Sequence, residues 1–200
     1  MDVERRRTQQ ERREYTVSKI LDATMASLGE VGYTATTIRE VCTRADVSSG
    51  GLFRHFPTRV DLMAAAADRV REQQIANFRG GLELLQSDSV RDCLLLLRAA
   101  CRAPVNAAWY ELLGASRADT ELRAHLAPVT ERYHKEIADV ARQLPVMQDI
   151  PEDQLDMVLF TVVHLLDGEA LSAVVHAQPE QEGPRLEMIA RILTGGTLLG

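Results

Sequence analysis

Residues 36–59 read TTIREVCTRADVSSGGLFRHFPTR and carry the strongest local signals in this chain of 200 residues. Thr37 followed by Glu40 is typical of a helix N-terminus, where the two side chains satisfy free backbone N–H groups in a capping box. A tight connection follows, and Ser48 then caps a shorter helix that runs to about His55. This spacing predicts a helix-turn-helix, in which the second helix enters the major groove of DNA.

The two helices of this motif, residues 37–56, separate apolar from polar side chains. The apolar positions, which we expect to pack against a preceding helix, are Ile38, Val41, Cys42, Val47, Leu52 and Phe56. The positions left to face outward are Arg39, Ser48, Ser49, Gly50, Gly51, Arg54 and His55. This outward face is basic, small and able to form hydrogen bonds, which suits contacts to phosphates and base edges.

The preceding segment predicts the helix on which the motif packs. Apolar residues recur at helical spacing over residues 14–29, and we expect Gly29 and Gly32 to end this helix. Further helices are expected over residues 58–80, 88–101, 105–116, 119–144, 151–176 and 185–194. With about nine helices and no strand, the predicted fold class is all-α.

Three features predict how the later helices end. Gly80-Gly81 is expected to terminate the helix that Thr58 begins. Pro128 is expected either to kink the helix over 119–144 or to divide it. Residues 178–184 (QPEQEGP) are expected to form a polar turn.

The longer stretch TTIREVCTRADVSSGGLFRHFPTRVDLM, residues 36–63, resembles the N-terminal signature of the tetracycline-repressor (TetR) family of bacterial regulators. The matching features are Gly32-Tyr33, Val47-Ser48 at the turn, Leu52-Phe53-x-His55-Phe56 and the basic Arg59. The remainder of the chain resembles the family only in the number and length of its helices.

This resemblance implies a DNA-binding role for ten residues. They are Thr37, Arg39, Ser48, Ser49, Gly50, Gly51, Phe53, Arg54, His55 and Arg59. Thr37 would contact phosphate, Arg39 would read a base, and His55 and Arg59 would clamp phosphates. Arginine bound to guanine through two hydrogen bonds is the commonest specific contact in the major groove.

The chain also departs from the family pattern within this motif. Phe53 stands where the family usually has Tyr, which removes a hydroxyl that could bind phosphate. Asp46 replaces the usual Gly of the turn, and Gly51 replaces another small residue. Because Gly50 and Gly51 each weaken a short helix by roughly 1 kcal/mol relative to Ala, we infer a recognition helix that becomes firm on DNA. Specificity would then depend on Arg39, Arg54, the N-terminal arm and DNA shape.

Charge is distributed unevenly between two predicted domains. The net charge is −6, yet residues 1–70 carry 11 Lys and Arg against 10 Asp and Glu, whereas residues 71–200 carry 12 against 19. We predict a DNA-binding domain over 1–60 with a basic arm over 1–13, and a ligand-binding and dimerisation domain over 61–200. The arginines of the arm are Arg5, Arg6, Arg7, Arg12 and Arg13. They are either a solvated tail or a contact to the DNA backbone or minor groove.

The predicted second domain supplies candidates for a pocket and an interface. A pocket between helices would be lined by Trp109, Tyr110, Leu113, Tyr133, Phe160 and His164. The alternative is that these large residues are ordinary core. A dimer interface is expected at Leu159, Val162, Leu166, Leu171, Val174, Leu186 and Ile189, since the helix over 151–176 is apolar on more than one face.

The sequence offers little for other classes of function. We find no catalytic constellation and no phosphate-binding glycine loop, so we predict neither an enzyme nor a bound cofactor or metal. Glu131-x-x-His134 lacks the second copy that a di-iron bundle needs. His164 and Asp167 share a helix face, and we interpret them as a surface or interface pair, with a ligand contact as the alternative. Cys42, Cys93 and Cys101 are expected to be reduced and buried.

These observations together predict a sequence-specific transcriptional regulator. We expect a homodimeric repressor that leaves an inverted-repeat operator in double-stranded DNA when a small, largely apolar effector binds. The alternatives are a regulator without a ligand and a helical carrier or enzyme. No stretch is apolar enough to predict a membrane span or a signal segment, so we expect the protein in the bacterial cytoplasm at the nucleoid.

Overall fold

The computed structural model describes residues 8–85, 87, 89–148 and 150–195 of the chain. Within these residues the fold is all-α, as predicted, with nine α-helices and no strand. The helices are α1 (Gln9–Ala35), α2 (Ile38–Ala45), α3 (Ser49–Phe53), α4 (Arg59–Leu84), α5 (Val90–Cys101), α6 (Asn106–Ala115), α7 (Thr120–Ala141), α8 (Glu152–Ala173) and α9 (Pro179–Leu193). A short 3₁₀ helix covers Pro145–Met147. In the part of the chain described, no helix combines the length and apolarity that crossing a membrane requires.

The described residues divide into two units that are not consecutive in sequence. The first unit contains the residues up to Arg71 together with Ala107–Val129, and the second contains Glu72–Asn106 together with the residues from Thr130 on. The assignment of a DNA-binding role to 1–60 and of ligand binding and dimerisation to 61–200 stays a prediction.

The first unit is built around the helix-turn-helix. Its fully buried side chains include Ile20, Leu28, Val41, Leu52, Leu62, Met63, Leu112 and Leu122. Val41 and Leu52 come from the predicted apolar face of the motif, whereas Ile20 and Leu28 come from α1. Removing these side chains from water, at roughly 1.5–3 kcal/mol for each, is the main force that fixes α2 and α3 on α1.

The ends of α1 differ from those predicted. The helix begins at Gln9 because Thr8 and Glu11 form a complete capping box. Arg12 and Arg13, expected in an arm, therefore lie on α1, while Arg5, Arg6 and Arg7 lie outside the described residues. Gly29 does not end the helix. The regular backbone is interrupted at Gly32, whose φ of 81° is readily adopted only by glycine.

The second unit has its core between the C-terminal part of α4 and helices α5, α7 and α8. Ile75, Ile137, Ala138, Ala141, Leu159 and Val163 form one buried cluster in it. Helix α9 is held by Leu186 and Ile189, both of which are buried.

Two predicted helix ends in this unit were wrong, and one of the two alternatives for Pro128 is excluded. Helix α4 continues past Gly80-Gly81 to Leu84, because Gly81 lets α5 pack closely: a Cβ there would lie 2.5 Å from Leu96 Cδ1. Pro128 does not divide α7, which runs on to Ala141. Helix α9 begins at Pro179 rather than after a polar turn, because proline is favoured in the first turn of a helix.

Candidate DNA-binding surface

The first helix of the motif, α2, is fixed at both ends. Thr37 caps it as predicted, its hydroxyl accepting a hydrogen bond from the Glu40 backbone N–H at 3.2 Å. The Glu40 carboxylate accepts from Arg44 Nε at 2.6 Å, and Arg44 also donates to Glu30 of α1 at 2.7 Å. The helix ends at Asp46, which adopts a left-handed conformation with a φ of 50°. These contacts orient α2 on α1.

The second helix, α3, is short and depends on few contacts. Ser48 caps it as predicted, accepting a hydrogen bond from the Gly51 backbone N–H at 3.1 Å. Leu52 is the only one of its five residues that is buried, with 0% of its surface exposed. A helix this short with two glycines has little intrinsic stability, so its position depends on this cap and this anchor.

Most of the predicted outward face is presented to solvent. The exposed members are Arg39, Ser48, Ser49, Gly50 and Arg54, whereas Gly51 and His55 are half-buried. An arginine on α2 and another at the end of α3 can donate to bases or phosphates, while small residues between them permit close approach. Phe53, 44% exposed, offers only apolar contact.

Thr37, Ser48 and His55 are also predicted to contact DNA, but each already makes contacts within the chain. The hydroxyls of Thr37 and Ser48 already accept backbone hydrogen bonds as helix caps. His55 is half-buried, with its ring centre 6.4 Å from that of Phe56. Their roles toward DNA stay predictions.

Arg59, whose predicted phosphate contact stays a prediction, is held by contacts within the first unit. Its Nη2 donates to the Tyr33 carbonyl oxygen at 2.5 Å and its Nε to the Thr36 carbonyl oxygen at 3.2 Å. Its guanidinium also stacks on the Tyr33 ring. Because these donors are used at the end of α1, Arg59 serves the structure of the first unit.

Sequence reasoning missed Tyr33 as the centre of a polar cluster. Its hydroxyl donates to Asp119 Oδ2 at 2.8 Å, and its backbone N–H donates to Glu111 Oε2 at 3.1 Å. Burial, followed by the hydrogen bond to Asp119, raises the pKa of Tyr33. The pKa of Asp119 is lowered by the backbone N–H of Leu122 and then by Tyr33. No local pattern marks these partners, since they come from distant parts of the chain.

A basic groove adjoins the recognition helix and was only partly predicted. Arg12 and Arg13 on the first turns of α1 line it together with Arg54 and His55. Three guanidinium groups against the single carboxylate of Glu14 give this groove a net positive charge, which favours the phosphates of a DNA backbone. The predicted basic arm therefore contributes at least its last two arginines from a helix.

The six residues predicted to line a ligand pocket belong to both units, and their grouping in one pocket stays a prediction. Trp109 is buried, Tyr110 lines an open cleft with residues 29–34, and Leu113 is exposed, all in the first unit. Tyr133, Phe160 and His164 belong to the second unit. They lie around His134, whose ring centre is 4.4 Å from that of Phe160 and 6.2 Å from that of His164.

The predicted interface residues fall into two groups. Leu159, Val162, Leu166, Leu186 and Ile189 are buried within the chain itself. They pack within the single chain, because periodicity does not distinguish a core-facing from a partner-facing stripe, and their part in an interface stays a prediction. Leu171 and Val174 are exposed, at 49% and 84%.

Comparison with known proteins agrees with this geometry. Residues 20–66 match the model of the family described as bacterial regulatory proteins, tetR family. The chain is 37% identical over 192 residues to an uncharacterised HTH-type transcriptional regulator of Mycobacterium tuberculosis, covering 95% of this chain and 98% of that protein. Over 61 residues it is 48% identical to the HTH-type transcriptional repressor KstR of the same organism, covering 30% and 26% of the two chains. A TetR-family regulator from Rhodococcus has a similar fold, with a TM-score of 0.70, 23% identity and coverage of 90% and 98%.

Proposed function

The chain belongs to the TetR family of bacterial transcriptional regulators, and from this we propose that it is a repressor that binds an inverted-repeat operator as a homodimer. A small, largely apolar effector would release it. The repressor role is supported by the similarity of 61 residues of the chain to KstR, which is named a repressor.

The observation that carries the proposal is the exposed face of α2 and α3. Arg39 and Arg54 are exposed on a motif whose Val41, Cys42, Leu52 and Phe56 are buried. Arg39 would read a base, while Arg54 with Arg12 and Arg13 would follow the phosphate backbone.

The proposed dimer would form through α8 and α9. Leu165 of α8 and Met188 of α9 line one open groove, and each is exposed in the single chain. In the same groove Glu169 Oε2 is buried yet has no hydrogen-bond partner among the described residues. A second copy would cover the apolar groups and could supply the missing donor. Two-fold symmetry would then place two recognition helices on one face of DNA, about 34 Å apart.

Release by an effector would be a shift between two states of the dimer. The effector must bind the state with an unsuitable spacing of recognition helices more tightly than the DNA-bound state, because equal binding would shift nothing. An apolar cavity in the second unit, between α4, α5, α7 and α8, supports a ligand of mainly apolar character.

The proposal is tested by selection from a random duplex pool. The protein is incubated with the pool, bound duplexes are recovered, and the selected sequences are compared with those obtained for Arg39→Ala and for the control Arg117→Ala, an exposed arginine outside the motif. We expect a two-fold symmetric sequence for the wild type and the control, and relaxed preference at one position of each half-site for Arg39→Ala. Recovery of unrelated sequences by the wild type would contradict the proposal.

A further inference from the structure

Two neighbouring cavities in the second unit differ sharply in polarity. The larger, of about 60 Å³, has an entirely apolar lining that includes Phe78, Leu94, Leu97, Ile137 and Val162. The smaller, of about 20 Å³, shares Phe78, Leu97 and Ile137 with it. Because they share walls, the two cavities adjoin, and a ligand that displaced the shared side chains would occupy one mainly apolar space.

The far end of this space is polar. Gln74, Asn106, Tyr133 and Asp167 line it together with Cys101. Asn106 is 3% exposed and donates from Nδ2 to the carbonyl oxygens of Ala100 and Cys101, both at 2.7 Å. Asn106 Oδ1 must therefore accept, and it accepts from Gln74 Nε2 at 2.6 Å.

This chain of hydrogen bonds fixes the orientation of the Gln74 amide. If the amide were flipped, its oxygen would face the Asn106 oxygen and two acceptors would repel each other. The Gln74 oxygen therefore stays an acceptor, and it is buried without a hydrogen-bond partner among the described residues. A buried acceptor without a hydrogen bond raises the free energy of the folded protein, and a ligand that donates a hydrogen bond to it removes this penalty.

The other polar groups at this end favour the same kind of ligand. Asp167 provides a carboxyl group, and no lysine or arginine is among the described residues that line the space. Burial, followed by the nearby Asp167, raises the pKa of Tyr133, which keeps its hydroxyl neutral. A carboxylate ligand would meet the Gln74 oxygen and the Asp167 carboxyl group, and no cation among the described lining residues would compensate its charge.

We propose that the effector is an elongated apolar molecule ending in a hydroxyl or amino group that donates to Gln74 Oε1, and that carboxylates are excluded. This inference rests on the proposed function in that it defines the effector of the same regulator. Because the cavities are small, such a ligand must move the surrounding helices apart as it enters. It would therefore bind the opened conformation of the second unit more tightly than the closed one.

Four ten-carbon probes test the proposal on the full chain without DNA. They are decan-1-ol, 1-methoxydecane, decylamine and sodium decanoate, and the measurements are the Tm and the Kd from titration calorimetry. We expect decan-1-ol or decylamine to raise the Tm and to bind about tenfold or more tightly than the ether, the factor for one hydrogen bond to a buried acceptor. Decanoate should bind more weakly than either. Equal binding of alcohol and ether, preference for decanoate, or no stabilisation by any probe would overturn the proposal.

Variants of adjacent glutamines assign the preference to one atom. Gln74→Leu should remove the preference for alcohol over ether, while Gln73→Leu, which leaves the lining unchanged, should keep it. The probe series on the wild type remains decisive if Gln74→Leu does not fold. A separate assay then adds decan-1-ol to the operator complex. If the protein prefers the alcohol to the ether but decan-1-ol does not release the operator, the ligand site is supported and its role in regulation is contradicted.

Discussion

The guanidinium carbon of Arg59 lies 4.1 Å from the centre of the Tyr33 ring, within the range of a cation–π interaction. The same guanidinium donates to the carbonyl oxygens of Tyr33 and Thr36, which follow the interruption of α1 at Gly32. Arg59 thus connects the start of α4 to the end of α1. An arginine so occupied stabilises the first unit and has few donors left for DNA.

Replacing Arg59 should therefore affect folding more than DNA binding. We expect Arg59→Ala to lower the free energy of unfolding by about 1–2 kcal/mol, through loss of the cation–π contact and two hydrogen bonds. Urea denaturation measures this, and fluorescence anisotropy at several salt concentrations measures the salt dependence of DNA binding.

The matched variant is Arg54→Ala, since Arg54 is exposed at the DNA-facing side. It should leave the free energy of unfolding within about 0.5 kcal/mol of the wild type and reduce the salt slope by about one unit. A salt slope reduced by Arg59→Ala, with unchanged stability, would restore the phosphate-clamp role to Arg59.

The two glycines of α3 should respond differently to alanine. A Cβ at Gly50 would meet nothing within 4 Å, whereas a Cβ at Gly51 would lie 3.2 Å from Ser48 Oγ, the capping atom. Gly50→Ala should raise the free energy of unfolding by about 0.5–1 kcal/mol through helix propensity. Gly51→Ala should raise the free energy of unfolding by less, because the Ser48 side chain that caps α3 must shift to make room. Equal gains in urea denaturation would show that the cap does not control α3.

The dimer prediction is tested on the exposed face of α8. Leu165→Glu should yield a monomer of 22.2 kDa in sedimentation equilibrium, because the new charge would be buried against the partner in the dimer. Its far-UV circular dichroism should stay that of the wild type, because the same charge faces solvent in the single chain. Met157→Glu is the control, being exposed on the same helix outside the groove. An unchanged dimer for Leu165→Glu would place the interface elsewhere.

The second unit should lose stability in mild acid because of His134. Desolvation, followed by the charge of His164, lowers the pKa of His134 below its ordinary value near 6.5. The unfolded chain then binds a proton at a higher pH than the folded chain, so stability falls as the pH is lowered through about 6.5.

Thermal unfolding between pH 7.5 and pH 5 measures this effect. We expect His134→Gln to show a smaller decrease in Tm over that range than the wild type. His176→Gln, at an exposed histidine, should follow the wild type. Identical curves for His134→Gln and the wild type would assign the acid sensitivity to other groups.

The features that could be predicted from sequence are those whose causes are local. Thr37 and Ser48 each cap a helix by accepting a hydrogen bond from the backbone N–H of the residue three positions later. The motif could therefore be predicted from residue spacing alone. Arg59 and Tyr33 are 26 residues apart, and Glu111 and Tyr33 are 78 apart, so no local pattern reports their contacts.

The same limit explains the errors in helix ends. Its type predicts Gly81 to be a helix terminator, but its missing side chain makes room for Leu96. Leu166, predicted to face a partner, is 0% exposed within its own chain. In both cases packing against a distant helix overrides what the residue type suggests by itself.

The most direct test of the central claim is the stoichiometry and salt dependence of the operator complex. The chain is titrated into the selected symmetric duplex and into a duplex with one half-site replaced, at two salt concentrations, with mass read by analytical ultracentrifugation. We expect two chains on each symmetric duplex, weaker binding when one half-site is lost, and a steep decrease in affinity at higher salt. One chain per duplex, with equal affinity for both duplexes, would contradict a dimeric regulator that reads an inverted repeat.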